Sequence, residues 1–442
     1  MTSTIVVGGG MSGLVRARAL AAKGEDVVLL ESSDRAGGAV RTERRDGFLM
    51  ELGPNTVRPT RELWALVGEL GLKDRALLAD PRLPRFVEWN GKLHPLPMSP
   101  GGLIGTKLLS ARAKLRLLAE PFRRSEAGPE ESVHAFFARR LGEEVADRFI
   151  EPFVGGIFAG SSHSLSIAAA FPSFARWDSD HGSIVRGAIA ERRRAAKAPE
   201  SERPPRGLLS FGDGLETLAR AVAAGLGDRL RTGTRVESLT PANGARTWVL
   251  RTAGGERKGD NVVLAAPAWE AARLVREFAP EAAEALGAIP HPFLAVAHLS
   301  VPLASLPGPL HGFGHLVVPQ KGRRILGAVW SSSLFQGRAP QGTALVTVFL
   351  GGSRDPDAAR LSDPELSKVA VRDLAGALGA KQDPRVVLLT RYSRSIPQYT
   401  AGHLARIAVL EKTEARFPGL TFLGNYRGGV SVGDVVKNAA FS

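Results

Sequence analysis

Thr4-Ile5-Val6-Val7-Gly8-Gly9-Gly10-Met11-Ser12-Gly13-Leu14 decides the fold of this chain. Residues 4 to 7 are a short continuous apolar run, as expected of a strand buried on both faces, and the glycines break it. A helix is expected from Leu14 to about Lys23, ended by Gly24, and a second apolar run, Val27 to Leu30, ends in Glu31. Gly8, Gly10 and Gly13 therefore make a G-x-G-x-x-G inside a β-α-β unit, with an acid closing the second strand. Such a turn suits a dinucleotide for physical reasons. The glycines turn the backbone tightly, admit a pyrophosphate to the helix N-terminus and let helix and strand pack closely. Glu31 is placed to accept from ribose hydroxyls, and Met11 and Ser12 lie within the turn. A glycine turn in an empty α/β fold is the bland alternative, and it does not explain why strand, turn, helix and acid coincide.

The chain has 442 residues, more than one simple core accommodates, so two or three lobes are expected. With 44% apolar residues it should be globular, and its 50 glycines suit a backbone that comes close to a ligand. There are no cysteines, which excludes disulfides, thiolate metal sites, a cysteine nucleophile and a cysteinyl-linked flavin. The histidines show no metal-ligand spacing, and no metal is expected. The first apolar run lacks the layout of a secretory or transit segment, and no apolar window reaches the length that spans a bilayer. The expectation is a cytoplasmic protein, soluble or peripheral on the cytoplasmic face of the membrane. A formal charge of +14 would suit nucleic acid, an anionic membrane, an acidic substrate or merely an Arg-rich composition. The basic residues are spread widely with no nucleic-acid module, so no nucleic-acid partner is expected.

Further along, Leu83 to Arg206 is rich in Leu, Ala, Arg and Phe at helical spacing and is expected to be a mostly helical insertion, closed by the loop Pro199 to Gly207. Strands are expected at Arg235 to Leu239, Trp248 to Thr252, Val262 to Ala265, Ala295 to Leu299, Gly314 to Val318, Ile325 to Val329, Ala344 to Leu350 and Val386 to Tyr392. A helix over Pro364 to Leu378 would back the later strands as one sheet. Thr421 to Ser442 reads as strand, glycine turn and helix.

Ser32-Ser33-Asp34-Arg35-Ala36-Gly37-Gly38-Ala39-Val40-Arg41-Thr42 resembles the extra glycine turn of flavoproteins of the glutathione-reductase and amine-oxidase types. A second turn near the other end, Gly424-Asn425-Tyr426-Arg427-Gly428-Gly429-Val430-Ser431-Val432-Gly433-Asp434, matches their flavin-end turn. The resemblance implies FAD, extended from the first helix to the last. It places Ser32, Arg35, Gly37, Gly38, Gly53, Pro54, Asn55, Thr56, Val236, Gly424, Val430, Ser431, Val432 and Asp434 at the cofactor together with the residues of the first turn. Amides near Val430 to Val432 would then face the flavin at a helix N-terminus.

Six further strings resemble the oxygen-dependent protoporphyrinogen oxidase family: Glu51 to Thr56, Pro152 to Gly160, Gly312 to Val317, Ser331 to Phe335, Val346 to Gly352 and Ile396 to Thr400. They occur in the family's order over nearly the whole chain. The implied architecture is α/β: a Rossmann-like FAD-binding domain (1–82, 207–283 and 396–442), a sheet-plus-helix substrate-binding domain (284–395) and a helical membrane-binding insertion (83–206). The implied reaction takes protoporphyrinogen IX to protoporphyrin IX by hydride transfer to FAD and loss of pyrrole protons, with oxygen as acceptor and hydrogen peroxide formed. The cofactor carries this chemistry, so no catalytic side chain is named. A porphyrinogen is a broad apolar ring with carboxylate arms, which calls for an apolar slot and few cations. By resemblance Phe86, Phe313, Leu316, Val329 and Phe349 line it, Arg85 meets a propionate, and Gly156 and Ala159 lie close to the ring. Lys107, Arg112, Lys114, Arg116, Arg123 and Arg124 would face an anionic bilayer, and a homodimer is a candidate assembly.

Two positions depart from the family, Leu404 where a flavin-touching tryptophan is frequent and Gly433 where Asn is common, and the short last helix implies weaker flavin retention. Three other readings remain open: a coproporphyrinogen oxidase, an amine oxidase or carotenoid desaturase, and a non-catalytic FAD-holding partner of the heme pathway.

Overall fold

A computed structural model describes residues 2–123, 128, 130–196, 199, 203–242, 244 and 247–441. The elements that position the site are, in chain order, β1 (Ser3–Val7), α1 (Met11–Ala22), β2 (Asp26–Leu30), β3 (Arg85–Trp89), α2 (Glu151–Phe158), β4 (Asn261–Leu264), β5 (Leu294–Pro302), β6 (Gly314–Val317), β7 (Ile325–Val329), β8 (Thr343–Gly351), α3 (Asp363–Leu378), β9 (Arg385–Tyr392), β10 (Leu420–Phe422) and α4 (Val432–Phe441).

β1 is the centre of a five-stranded parallel sheet in the order β10, β4, β1, β2, Leu230–Arg231. Its continuous apolar sequence follows from burial on both faces. Val6 packs with Leu14 and Val15 of α1, while Ile5 and Val7 pack on the opposite side with Leu264, Trp248 and Ala271.

A second, seven-stranded sheet runs β9, β5, β8, β7, β6, β3, Lys92–Pro95. Its pairs are antiparallel except for β6 and β3, where Gly314 lies opposite Arg85. This corrects the expectation of helix from Leu83 onward. Asn90 and Gly91 both have positive φ (51° and 70°), a two-residue hairpin turn that folds β3 back on Lys92–Pro95, and helices begin only at Pro100. One face of this sheet, with Ala297, Val317, Ala328 and Val348, packs beneath Leu366, Ala370 and Leu374 of α3. The other faces α2 and the parallel-sheet half of the molecule.

The helical segment has its own core of Val133, Phe136, Phe158, Leu165 and Ile167. Beside it the buried Arg140 guanidinium pairs with Glu120 and Asp178, a closed set that leaves neither charge bare. Among the described residues no helix is long and apolar enough to cross a membrane.

Three histidines are buried neutral. Burial holds His298 down to about 3 and His403 to about 4, and burial followed by repulsion from Arg323 holds His315 to about 4. In the unfolded chain each titrates near about 6.5, so below that pH the unfolded state binds protons that the folded state refuses, and stability falls with pH. The denaturation midpoint should fall as pH drops from 7 toward 5, and fall less steeply in His298→Gln. An equal slope in both proteins would refute this assignment.

Candidate flavin site and apolar slot

The first glycine turn is built as its sequence demands. A Cβ on Gly13 would overlap the Gly8 carbonyl oxygen, so α1 crosses β1 at a distance only glycine allows. Gly10 caps α1 with no side-chain partner, and the space where its Cβ would stand is open. That combination is a cradle for a pyrophosphate at a helix N-terminus. Gly37 N donates to Gly9 O at 2.8 Å, laying the second turn, which contains Gly38, against the first. Arg35 donates to Gly38 O at 2.6 Å and holds that turn in shape. The Glu31 carboxylate accepts from Gly9 N at 2.6 Å and from Ser33 N at 2.8 Å, with the Ser32 hydroxyl at 3.3 Å. Two backbone donors therefore aim the acid at the end of β2. Val236 is buried beside Ile5, Val7 and Leu30, and its carbonyl accepts from Arg273 at 2.8 Å.

The two ends of the chain meet here. α4 lies alongside α1, with Val435, Val436 and Ala439 sharing a core with Met11, Leu14 and Val15. The turn leading into α4 follows β10, two places from β1 in the same sheet, and begins at Gly424. Ser431 and Asp434 cap α4 reciprocally: the Asp434 amide donates to Ser431 Oγ at 3.1 Å, and Ser431 Oγ donates to Asp434 Oδ2 at 2.6 Å. The Ser431 amide also reaches Asp434 Oδ2 at 3.3 Å, so this amide is engaged by the protein's own carboxylate. Neighbouring Val430 packs against the helical core and Val432 against the core of α1.

Sequence reading missed what braces this turn. The Tyr399 hydroxyl donates to Asn425 O at 2.7 Å and accepts from Gly429 N at 3.0 Å, while its ring stacks on His403 at 4.1 Å. His403 Nε2 in turn reaches Tyr426 O at 3.0 Å. His403 is structural. The signal available in sequence was the rarity of tyrosine, three in the whole chain.

On the second sheet, register decides which of the expected slot residues share a face. Arg85, Gly314, Val329 and Thr347 form one row; Leu316, Gly327 and Phe349 form the next, on the same face. Phe86 pairs with His315 and lies on the opposite face, stacked on Trp330 at 5.2 Å beneath α3. This corrects its assignment as a lining residue: alternation along β3 sends Arg85 and Phe86 to opposite sides. Phe313 lies under the Arg85 guanidinium at 5.3 Å and clusters with Val329 and Leu334. α2 covers the slot face. A Cβ on Gly156 would come within 2.6 Å of Leu316 Cδ2, so this glycine sets the helix-to-sheet distance. Ala159 ends α2 in the left-handed region (φ 49°) and packs with Leu326 and Phe349.

A small cavity of about 10 Å³, room for a single water, lies where the two halves meet, lined by Glu51 and Asn55 from the parallel-sheet side and by Val329, Ser331, Phe335 and Arg338 from the other. Asn55 belongs to the Gly53-Pro54-Asn55-Thr56 segment, where the Asn55 side chain donates to Gly53 O at 3.3 Å. Arg338 is buried, bonds Ser210 Oγ at 2.6 Å and pairs with Glu51 at 3.5 Å. Burial pushes the Glu51 carboxyl up, opposed by the Thr42 hydroxyl and by Arg338. By contrast, among the described residues Arg85 has no carboxylate partner.

One group of possible metal ligands forms among the described residues. His134, Asp147 and His163 come together although their spacing in sequence gives no hint of it.

A parallel sheet with a glycine turn for a dinucleotide, carrying both ends of the chain and set beside a second sheet with an apolar, covered face, is the frame of a flavoprotein. The chain belongs to the family of flavin containing amine oxidoreductases, whose pattern matches residues 11–440. It is 35% identical over 457 residues to the chloroplastic protoporphyrinogen oxidase of Nicotiana tabacum, covering 98% of this chain and 83% of that one. It is also 35% identical to the protoporphyrinogen oxidase of Homo sapiens, over 99% and 96% of the two chains. The crystal structure of a putative protoporphyrinogen oxidase from Exiguobacterium superimposes with a TM-score of 0.81 at 26% identity, over 99% of this chain and 97% of that one. Reduced UDP-galactopyranose mutase, at 15% identity and a TM-score of 0.74, shares the fold. The cofactor of this family is a flavin, and the open Gly10 cradle beside Glu31 fits the FAD form.

Gly13→Ala should drive α1 off β1 and weaken FAD binding at least about tenfold, on the order of 1.4 kcal/mol. Visible absorbance of the purified variant and an FAD titration measure it; undiminished flavin would refute the cradle.

Proposed function

We propose that the chain oxidises protoporphyrinogen IX to protoporphyrin IX with oxygen as final acceptor. The observation that carries this reading is Arg85, a guanidinium with no carboxylate partner among the described residues, on the same sheet face as Leu316, Val329 and Phe349. An apolar face with a cation free of carboxylate is complementary to a flat apolar ring bearing few carboxylates. The names of the relatives in tobacco and human point the same way. Bound FAD supplies the hydride-accepting chemistry. The protein's part is to hold the ring against the sheet face of Leu316, Val329 and Phe349, to anchor a propionate with Arg85 and to keep water out with α2. The other arginines near the slot, Arg338 and Arg354, are already paired with Glu51 and Glu151. This favours protoporphyrinogen over coproporphyrinogen, whose four carboxylates need more free cations.

Anaerobic mixing of the FAD-loaded protein with protoporphyrinogen should bleach the flavin, and admitting oxygen should restore it with release of peroxide. Bleaching by coproporphyrinogen alone, or by amines alone, would overturn the reading. Arg85→Ala should raise KM about tenfold to a hundredfold with kcat little changed, as loss of one charge-assisted contact requires.

The helical segment supports a second part of the proposal, docking on an anionic membrane. Ile104, Leu115, Leu118 and Phe122 are exposed, Phe122 by 81%, with Lys107, Arg112 and Arg123 among them. Arg116 does not belong to that face, since it caps the carbonyls of Ala138 and Arg139, and Arg124 lies outside the described residues. Liposomes containing anionic lipid should float the protein at low salt, and high salt should release it. Flotation indifferent to lipid charge would remove this part.

A further inference from the structure

His134 is in the first turn of helix Val133–Leu141, Asp147 in the π-helical turn Ala146–Ile150, and His163 in the loop after α2. One ligand atom from each lies within 4.8 Å of the others. The two imidazoles stack at 3.9 Å, His134 Nε2 is 2.8 Å from Asp147 Oδ1, and Glu143 Oε2 is 3.8 Å from the same nitrogen. The backbone holds these positions together, because His134 N donates to Ser162 O at 2.8 Å and Val133 N to Leu165 O at 2.8 Å. The charge is also uncommon for this molecule. In a chain of formal charge +14, most of whose acids near the helical core are matched by arginine, Asp147 and Glu143 have only His134 as an ion-pair partner among the described residues.

We propose that His134, His163 and Asp147, with Glu143 closing the shell, form a binding site for a divalent cation of the zinc class. Two neutral imidazoles and two carboxylates cancel a 2+ charge, and mixed nitrogen and oxygen donors select zinc or its late first-row neighbours over magnesium or calcium. Metal bonds of about 2.0–2.2 Å put tetrahedral ligand atoms about 3.3–3.5 Å apart, so closure requires the two imidazoles to turn out of their parallel stack until both nitrogen lone pairs meet at one point. The metal replaces the His134 to Asp147 hydrogen bond.

The site's position gives it a consequence. Asp147 lies four residues before α2 begins and His163 five residues after it ends. A bound ion would therefore tie together the two flanks of the helix that lays Gly156 against Leu316. This inference goes beyond the oxidase reading and does not rest on it.

The test uses FAD-loaded protein, stripped with chelator and dialysed, and titrated with zinc chloride alone in a calorimeter. One zinc per chain is expected. His163→Ala should weaken binding at least about tenfold, while His181→Ala, an exposed histidine of the same segment, should not. Zinc should raise the melting temperature of the wild type and not of His163→Ala. Equal uptake by wild type and His163→Ala, or no stoichiometric binding, overturns the site and leaves a hydrogen-bonded His-Asp pair. Stoichiometric binding with no rise in melting temperature overturns the clamp.

Discussion

The structure depends on the contact between Gly13 and the Gly8 carbonyl, a helix crossing a strand at backbone distance. With any side chain at Gly13 the helix would stand off, its N-terminus would no longer point into the cradle, and the opposite flank of α1 would be displaced. That flank receives α4, through Val435, Val436 and Ala439, so one close approach near residue 13 also fixes where the last ten described residues lie. Closing a loop of some four hundred residues costs only slowly more with length, and burying a shared apolar core repays it.

From that junction the division of labour follows. The second sheet has one face spent on its own core under α3 and one presented to the flavin half and α2. The same face carries His298, fully buried, held neutral by its surroundings and bonded through Nδ1 to Thr347 Oγ1 at 3.1 Å. Thr347 continues to Ser331 Oγ at 3.1 Å, and Ser331 lines the cavity between the halves. A base held this far below its ordinary range accepts protons poorly, so this chain of hydroxyls orients more than it titrates. That agrees with chemistry carried by a cofactor and leaves the protein the tasks of shape, anchoring and water exclusion.

Elements whose signal is local were legible in the sequence. β1, the glycine turn, β2 with Glu31, the strands from Leu294 to Gly351 and the helix α3 follow from apolar period and turn residues within windows of ten or so. Asn90-Gly91 was equally local, and the helical composition around it obscured it. What the sequence did not disclose depends on register and on contacts across long separations. Phe86 and Arg85 are neighbours in the chain, and only the pairing of β3 with β6 tells which of them shares a face with Leu316 and which lies beneath α3. Arg338 with Glu51, Tyr399 with the turn at Gly429, and His134 with His163 are pairs that no spacing rule connects, because the fold alone brings them together.

The two departures from the family pattern have local surroundings that bear on them. A Cβ on Gly433 would stand 2.7 Å from Thr60 Cγ2 and 3.3 Å from Arg58 O, since the helix Arg61–Glu69 packs against α4 there. Thr60 caps that neighbouring helix by accepting from Leu63 N, so it is not free to move aside, and an asparagine would have to push two helices apart. Glycine at 433 thus allows a close seat for α4. Leu404 occupies the first turn of helix His403–Arg416, next to the His403 that stacks on Tyr399, and more than half of its surface is exposed. The brace at the flavin-end turn runs through Tyr399 and His403, so it does not need an aromatic side chain at 404.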